Sequence, residues 1–284
     1  MPLLRNSISV MSKVRYAFFD LDDTLLTTSK KLPEDTLKCL AYLRDRGITV
    51  GVNTGRSWES MEYTLSDYDV ADLFAAYIND GGINILDRRR GIRISRGFLN
   101  PDKIREVCAY FSGMPFLKVT FQKDGKVYAN GLNDAVWNIL RRNRKTEYIP
   151  IDPARDYEIY RIILCFEEQQ EGRVREVLQK MNIEGISATI TETSLCNINS
   201  SEVSKLTGMK DYLKVVGGAM DELMFFGDSD IDIPLLREAG YGVCMVNGFA
   251  GARAAAGYVT DKGCDEDGAA DFIYKHLDLF DFKR

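Results

Sequence analysis

The feature that most constrains this chain is a rhythm. Residues 15–84 alternate short apolar runs with amphipathic stretches: VRYAFFD, PEDTLKCLAYLRDRG, ITVGVNT, SWESMEYTLSDY and LFAAYIND. The first, third and fifth are almost continuously apolar, as expected of strands buried on both faces, whereas the second and fourth repeat at helical spacing. In the first helix Leu37, Leu40, Ala41 and Leu43 share one side, Pro33 stands near the first turn, and Gly47 marks the turn that follows. Strict alternation of this kind predicts a parallel sheet with helices on both faces. The rhythm returns after residue 200, with helix VSKLTGMKDYLKVVG, strand ELMFFGD, helix DIDIPLLREAG and strand YGVCMV.

Between these segments the texture changes. GINILD, FLKVTFQ, KVYAN, YEIYRIILCFEE and ISATITE read as β-branched or aromatic strands, with helices around 101–112, 132–143 and 169–182. The fold class is therefore α/β: a doubly wound, parallel, Rossmann-like core over residues 15–84 and 200–284, interrupted by an inserted α+β unit at 85–199 with a largely antiparallel sheet. A chain of 284 residues has room for two such cores. Gly81 and Gly82 are expected at the entry to the insertion and NINSSEVS at its exit. Residues 1–14 read as an N-terminal extension, with Met11 a candidate start.

Composition narrows the function classes. With 45% hydrophobic and 28% charged residues the chain is that of an ordinary globular protein, and no apolar run suits a bilayer span. A net charge of −5 gives no footprint for nucleic acid. A cytoplasmic protein acting on a small molecule, as a monomer or small homo-oligomer, is expected. Six scattered cysteines form no CxxC pair, and the single histidine, His276, lies in a C-terminal helix pattern. One histidine, read as a surface or helix-end residue, argues against a Ser-His-Asp or Cys-His mechanism and a multi-histidine metal site, so carboxylates are expected to carry any catalysis.

Ligands of doubly wound sheets bind at the carboxyl ends of the strands. There the chain places Asp20 and Asp22 in FFDLDDTLL, NTGR at residues 53–56, NDGG at 79–82, and Asp228, Asp230 and Asp232 in GDSDID. Ionised carboxylates gathered without a partner repel one another, so a divalent cation with a taste for oxygen is the economical explanation, and Mg2+ fits best because it accepts one or two carboxylates plus a phosphate. Taken singly, Thr54 reads as a helix N-cap, Lys205 as a solvated helix lysine, and Asp228 and Asp232 as acids at a helix start. Their joint order at strand ends outweighs those separate readings.

These residues resemble the haloacid dehalogenase-like hydrolases, and among them the Cof-type phosphatases. The DxDxT motif of that family appears as Asp20 to Thr24, its Ser/Thr motif as Thr54, its lysine as Lys205, and its GDxxxD motif as Gly227-Asp228 with Asp232. The resemblance implies Asp20 as nucleophile forming an aspartyl-phosphate, and Asp22 as general acid and then base. Thr54, Gly55, Lys205 and the loop of Asp20, Leu21 and Asp22 would bind the phosphoryl group. Mg2+ would sit on the side chains of Asp20 and Asp228 and the main-chain carbonyl of Asp22, with Asp232 a further ligand or the partner that fixes Lys205. The insertion between Thr54 and Lys205 resembles a C2 (C2B-like) cap that closes over the site and reads the substrate. The implied activity is a Mg2+-dependent phosphatase for a small phosphorylated metabolite, a sugar phosphate or phosphorylated cofactor. Alternatives are a phosphomutase or phosphotransferase with the same intermediate, and a catalytically weak phosphate-binding regulatory protein.

Two positions depart from the family pattern: Asp23 stands where Gly is common, and Ile231 where Asn is usual before the last aspartate. Two basic runs, Arg88 to Arg90 and Arg141 to Lys145, have the charge to attract a second phosphate or a carboxylate but read primarily as solvated faces.

Overall fold

The structure, a computed structural model, describes residues 13–68, 70 and 72–282. Along the chain its elements are β1 (Tyr16–Phe19), α1 (Glu34–Asp45), β2 (Thr49–Asn53), α2 (Trp58–Leu65), β3 (Ala76–Asn79), β4 (Asn84–Asp87), β5 (Ile92–Ser95), α3 (Pro101–Phe111), β6 (Leu117–Lys123), β7 (Lys126–Ala129), α4 (Asp134–Arg142), β8 (Ile149–Pro150), β9 (Arg161–Phe166), α5 (Glu171–Lys180), β10 (Ile186–Glu192), β11 (Leu195–Ser200), α6 (Lys205–Val216), β12 (Leu223–Gly227), α7 (Ile233–Glu238), β13 (Tyr241–Cys244), α8 (Ala250–Ala255), β14 (Tyr258–Val259) and α9 (Gly268–Lys275). They form two compact units, one up to Ser95 and from Ser204 onward, the other Arg96–Val203.

The first unit is an eight-stranded sheet in the order β14-β13-β12-β1-β2-β3-β4-β5. Strands β14 to β3 are mutually parallel, and β4 and β5 add an antiparallel hairpin at one edge. All four residues of β1 are buried because both faces are covered. Phe19 stacks on Phe226 at 4.9 Å between ring centroids on one side, and Phe18 meets Tyr212 of α6 at 5.4 Å on the other. Helix α6 starts with a capping box, in which the Ser204 side chain accepts from the Thr207 amide, and ends at Gly217 with φ 70°. Both signals fix the register of Lys205, its first residue.

The second unit has a six-stranded sheet, β10-β11-β9-β6-β7-β8, antiparallel except for the β7–β8 pair. Apolar residues of α3 and α5, such as Val107, Phe111 and Val174, pack with Val119, Leu164 and Ile198. Val136, Ile139 and Leu140 of α4 form a separate cluster with Ala129 and Cys165. Arg142 makes a two-pronged exposed ion pair with Glu192, the surface role expected of that basic run.

Three sequence expectations need correction. GINILD, assigned to the insertion, is β4 of the first sheet, where Tyr77 pairs with Leu86 and Ile78 with Ile85; the units divide after Ser95 and Val203, later than the expected 84 and 199. A β-branched run reads the same whether its neighbour is parallel or antiparallel, so the sequence shows the strand and not its partner. Gly81 and Gly82 consequently turn β3 into β4 inside the first unit. Val14, placed in the extension, is fully buried and bridges Phe280, while residues 1–12, Met11 included, lie outside the described residues.

The two glycines differ in what they permit. A Cβ on Gly82, at φ 106°, would sit 2.1 Å from the carbonyl oxygen of Ser204, whereas one on Gly81, at φ 68°, meets nothing within 4 Å. Gly82→Ala is expected to destabilise the protein by about 2–4 kcal/mol and Gly81→Ala by only about 1–2 kcal/mol, measured by urea unfolding.

Candidate active site

Three parallel strands deliver the site. Asp20 follows β1 and its amide donates to Phe226 O at 2.9 Å, which levels the ends of β1 and β12. Asp228 follows β12, and Thr54 follows β2. Lys205 is 3% exposed, and its ammonium group sits 2.8 Å from Asp20 Oδ1 and 2.7 Å from Asp232 Oδ1. A solvated lysine is therefore excluded at this position. Burial alone would push the Lys205 ammonium down, but the two carboxylates outweigh it and hold the group above its ordinary value.

Asp232 has both oxygens committed. Oδ1 accepts from Lys205, and Oδ2 accepts from the amides of Asp228 at 3.2 Å and Ser229 at 3.1 Å and from the Ser229 hydroxyl at 2.7 Å. It is fully buried. Although the ligand atoms of Asp20, Asp228 and Asp232 lie within 4.8 Å of one another, the Asp232 carboxylate is already saturated by protein donors. Asp20 and Asp228 are left to face a cation. Burial, together with the charges of Asp20 and Asp232, raises the Asp228 carboxyl from 3.8 to about 7. Burial likewise raises Asp20, despite the opposing pull of Lys205. Two neighbouring carboxylates, each disfavoured as an anion chiefly by burial, could hold a hard divalent cation such as Mg2+.

Asp22 is placed differently. Arg56 grips its carboxylate with two prongs, Nε to Oδ2 at 2.7 Å and Nη2 to Oδ1 at 2.8 Å, and Lys30 Nζ lies 3.0 Å from Oδ1. Burial would raise this carboxyl, yet Arg56 and Lys30 outweigh it and leave it below the ordinary value. Arg56 is itself held by the hydroxyls of Ser60 and Thr64 on α2. The ionised Asp22 of this geometry can take a proton but has none to give.

Thr54, 1% exposed, is not the cap of α2; that role falls to Ser57, whose side chain accepts from the Ser60 amide. Thr54 Oγ1 instead accepts from the Arg56 amide at 3.2 Å. Gly55 is exposed and a side chain there would meet no protein atom within 4 Å. Leu21 is fully buried, and its amide hydrogen-bonds the Asp20 carboxyl. Asp23 adopts φ 56°, the left-handed region glycine favours, and its side chain pairs with Lys30 at 3.2 Å. Ile231 is 44% exposed.

Several residues escaped the sequence reading as contributors. Thr24 donates its hydroxyl to Asp228 Oδ1 at 3.0 Å. Asn53, fully buried, donates to the Lys205 carbonyl at 3.0 Å and so ties β2 to the start of α6. Asn247 donates to the Asp23 carbonyl at 2.8 Å and accepts from the Cys264 amide, bracing the first loop from the far side. Thr24, Asn53 and Arg56 carried a signal, as members of the quoted motifs; Lys30 and Asn247 belong to no spacing that a single sequence displays.

The family model described as haloacid dehalogenase-like hydrolase matches residues 17–273. The chain belongs to the haloacid dehalogenase-like hydrolases. It is 26% identical over 277 residues to the chloroplastic endoribonuclease YBEY of Arabidopsis thaliana, covering 93% of this chain but 47% of that protein, so the chain spans about half the length of this relative. To the 5-amino-6-(5-phospho-D-ribitylamino)uracil phosphatase YitU of Bacillus subtilis strain 168 it is 23% identical over 278 residues, 92% of this chain and 96% of the other. Among solved structures, a sugar phosphatase of subclass IIB superposes with TM-score 0.76 at 22% identity, over 94% of this chain and 100% of its own, which is a likeness of fold. No helix among the described residues of the hydrolase is long and apolar enough to cross a membrane.

Two tests follow from the geometry. Asp232→Ala removes one of two partners from a buried ammonium and strips three donors of their acceptor, so it is expected to cost about 3–5 kcal/mol in urea unfolding, against about 1 kcal/mol or less for Asp22→Ala at its half-exposed pair. The raised Asp228 carboxyl binds a proton that the unfolded chain releases. The stability it contributes is complete below about pH 4 and is lost as pH rises through about 7. In EDTA the thermal midpoint is expected to fall by a few degrees, roughly, from pH 5 to pH 8; carboxylates held low, such as Asp22, lose their contribution only below that window.

Proposed function

We propose that the protein is a Mg2+-dependent phosphatase that hydrolyses a small phosphate monoester, a sugar phosphate or phosphorylated cofactor, through an aspartyl-phosphate on Asp20. The observation that carries this reading is the buried ammonium of Lys205, 2.8 Å from a strand-end carboxylate that has Asp228 beside it. The names of the relatives, a sugar phosphatase and a phosphatase for a phosphorylated ribityl compound, support the substrate class.

In the first step an Asp20 oxygen attacks phosphorus. The Asp20–phosphorus bond forms while the bond to the leaving oxygen breaks, and Asp22 supplies the proton that this oxygen takes. Lys205 and Thr54 stabilise charge on the phosphoryl oxygens. In the second step water attacks phosphorus, its proton passes to Asp22, and the Asp20 carboxylate leaves. The Asp22 gripped by Arg56 and Lys30 has the ionisation needed for this second step, so the first requires it to leave Arg56 and take up a proton. Asp20 and Asp228, with the Asp22 main-chain carbonyl, would hold Mg2+. When bound, the cation supplies positive charge against the phosphoryl oxygens.

Phosphate release from a panel of sugar phosphates, phosphorylated cofactors and p-nitrophenyl phosphate, with and without Mg2+, tests the reading. Asp20→Asn is expected to lower kcat by at least about a thousandfold and Asp22→Ala by about a hundredfold or more. Turnover that survives Asp20→Asn unchanged refutes the nucleophile, and interconversion of isomers without free phosphate replaces the phosphatase with a mutase. Millimolar Mg2+ is expected to recover the stability lost at pH 8, because it binds the ionised carboxylates.

A further inference from the structure

Asn53 ends β2, and strand alternation decides which way it faces. Phe18 meets Tyr212 of α6, and a Cβ on Gly51 would lie 2.3 Å from the Phe18 ring, so Phe18 and Gly51 share the face of the sheet that α6 covers. Phe18 pairs with Gly51 and Phe19 with Val52. Two residues beyond Phe18 and Gly51, at the next step of the same ladder, Asp20 and Asn53 stand side by side on that face. Both reach the start of α6, Asp20 through the Lys205 ammonium and Asn53 through the Lys205 carbonyl.

The Asn53 amide pairs less than its burial demands. The residue is fully buried, and its Oδ1 accepts no hydrogen bond from any described residue. Turning the amide over would set Oδ1 against the Lys205 carbonyl oxygen, so that contact dictates its orientation. The carbonyl, moreover, belongs to the first residue of α6 and accepts the amide of Met209 in the ordinary helical pattern. Asn53 therefore brings a second donor to an acceptor already served, and leaves an acceptor of its own without a donor. Both facts count against a role in stability, since a buried polar atom left unpaired costs more than one neutral hydrogen bond contributes. Departures of this kind gather at working sites.

From this we infer that Asn53 is a positioning residue for phosphoryl transfer, acting through Lys205; the inference rests on the phosphatase reading above. When Asp20 commits its charge to the bond with phosphorus, Lys205 keeps one carboxylate partner, Asp232, and has to hold its ammonium on the phosphoryl oxygens while its pairing changes. A lysine stem is flexible, and Asp232 fixes only its far end. Asn53 fixes the near end, the backbone of residue 205, to the strand beside the nucleophile. Anchoring of this kind acts where charge develops, so it serves the transition state more than the bound substrate.

Asn53→Leu in the full chain, which keeps the approximate shape and removes both polar atoms, tests this. The expected result is a kcat for p-nitrophenyl phosphate at least about tenfold lower, a KM within about threefold, and a thermal midpoint unchanged or raised. Asn53→Ser, one atom shorter than the reach to the carbonyl, serves if the leucine variant does not fold, and is expected to show the same loss of kcat. Calorimetric titration with orthovanadate and with orthophosphate, each with Mg2+, gives a readout without turnover. Vanadate, which adopts the five-coordinate geometry of the transferring phosphorus, is expected to bind at least about tenfold more weakly to the variant, and orthophosphate to change by less than about threefold. Unchanged kcat and vanadate affinity overturn the inference, as does an equal weakening of both anions with a lowered midpoint, the mark of a structural residue. If the unsubstituted chain releases no phosphate from any substrate of the panel, the phosphatase reading fails, while the comparison of vanadate with orthophosphate still decides the role of Asn53.

Discussion

The ammonium of Lys205, buried between Asp20 and Asp232, is the interaction on which the carboxyl end of the parallel sheet depends. A charge this far from water is tolerated only when opposite charges and fixed hydrogen bonds surround it. Asp232 meets that condition while holding the amides of residues 228 and 229, so the same carboxylate shapes the loop that presents Asp228. Asn53 holds the lysine from the other side through its carbonyl. Strands β1, β2 and β12 and helix α6 are thereby joined at one point by polar contacts, where elsewhere in the unit they are joined by phenylalanine and leucine.

That arrangement separates carboxylates that look alike in the sequence. Asp20 and Asp228 face each other and are disfavoured as anions, Asp232 is saturated by donors, and Asp22 is gripped by Arg56. Four aspartates therefore occupy three electrostatic environments within one loop cluster, which is how a site made of a single residue type can assign distinct duties.

Much of this was legible in the sequence. Alternating apolar and amphipathic stretches carried the α/β class, and Asp20, Lys205 and Asp228, named from their motifs, are residues that the fold brings together. What the sequence left open was choice of partner. GINILD is plainly a strand, but nothing local says that Ile78 and Ile85 pair across it. Asp232 could be ligand or anchor at the same spacing, and only the direction of its two oxygens decides. Arg56 was visible in NTGR and mute there, because a guanidinium is long enough to reach several carboxylates.

Within the second unit, Gly97 approaches Val203 so closely that a Cβ on it would come within 2.3 Å of the valine side chain. The segments by which the chain enters and leaves residues 96–203 therefore lie close together. An insertion whose two ends meet imposes no stretch on its host, and it can be lengthened, exchanged or excised in evolution with little more than a short splice. The two units can then change on separate schedules within one polypeptide.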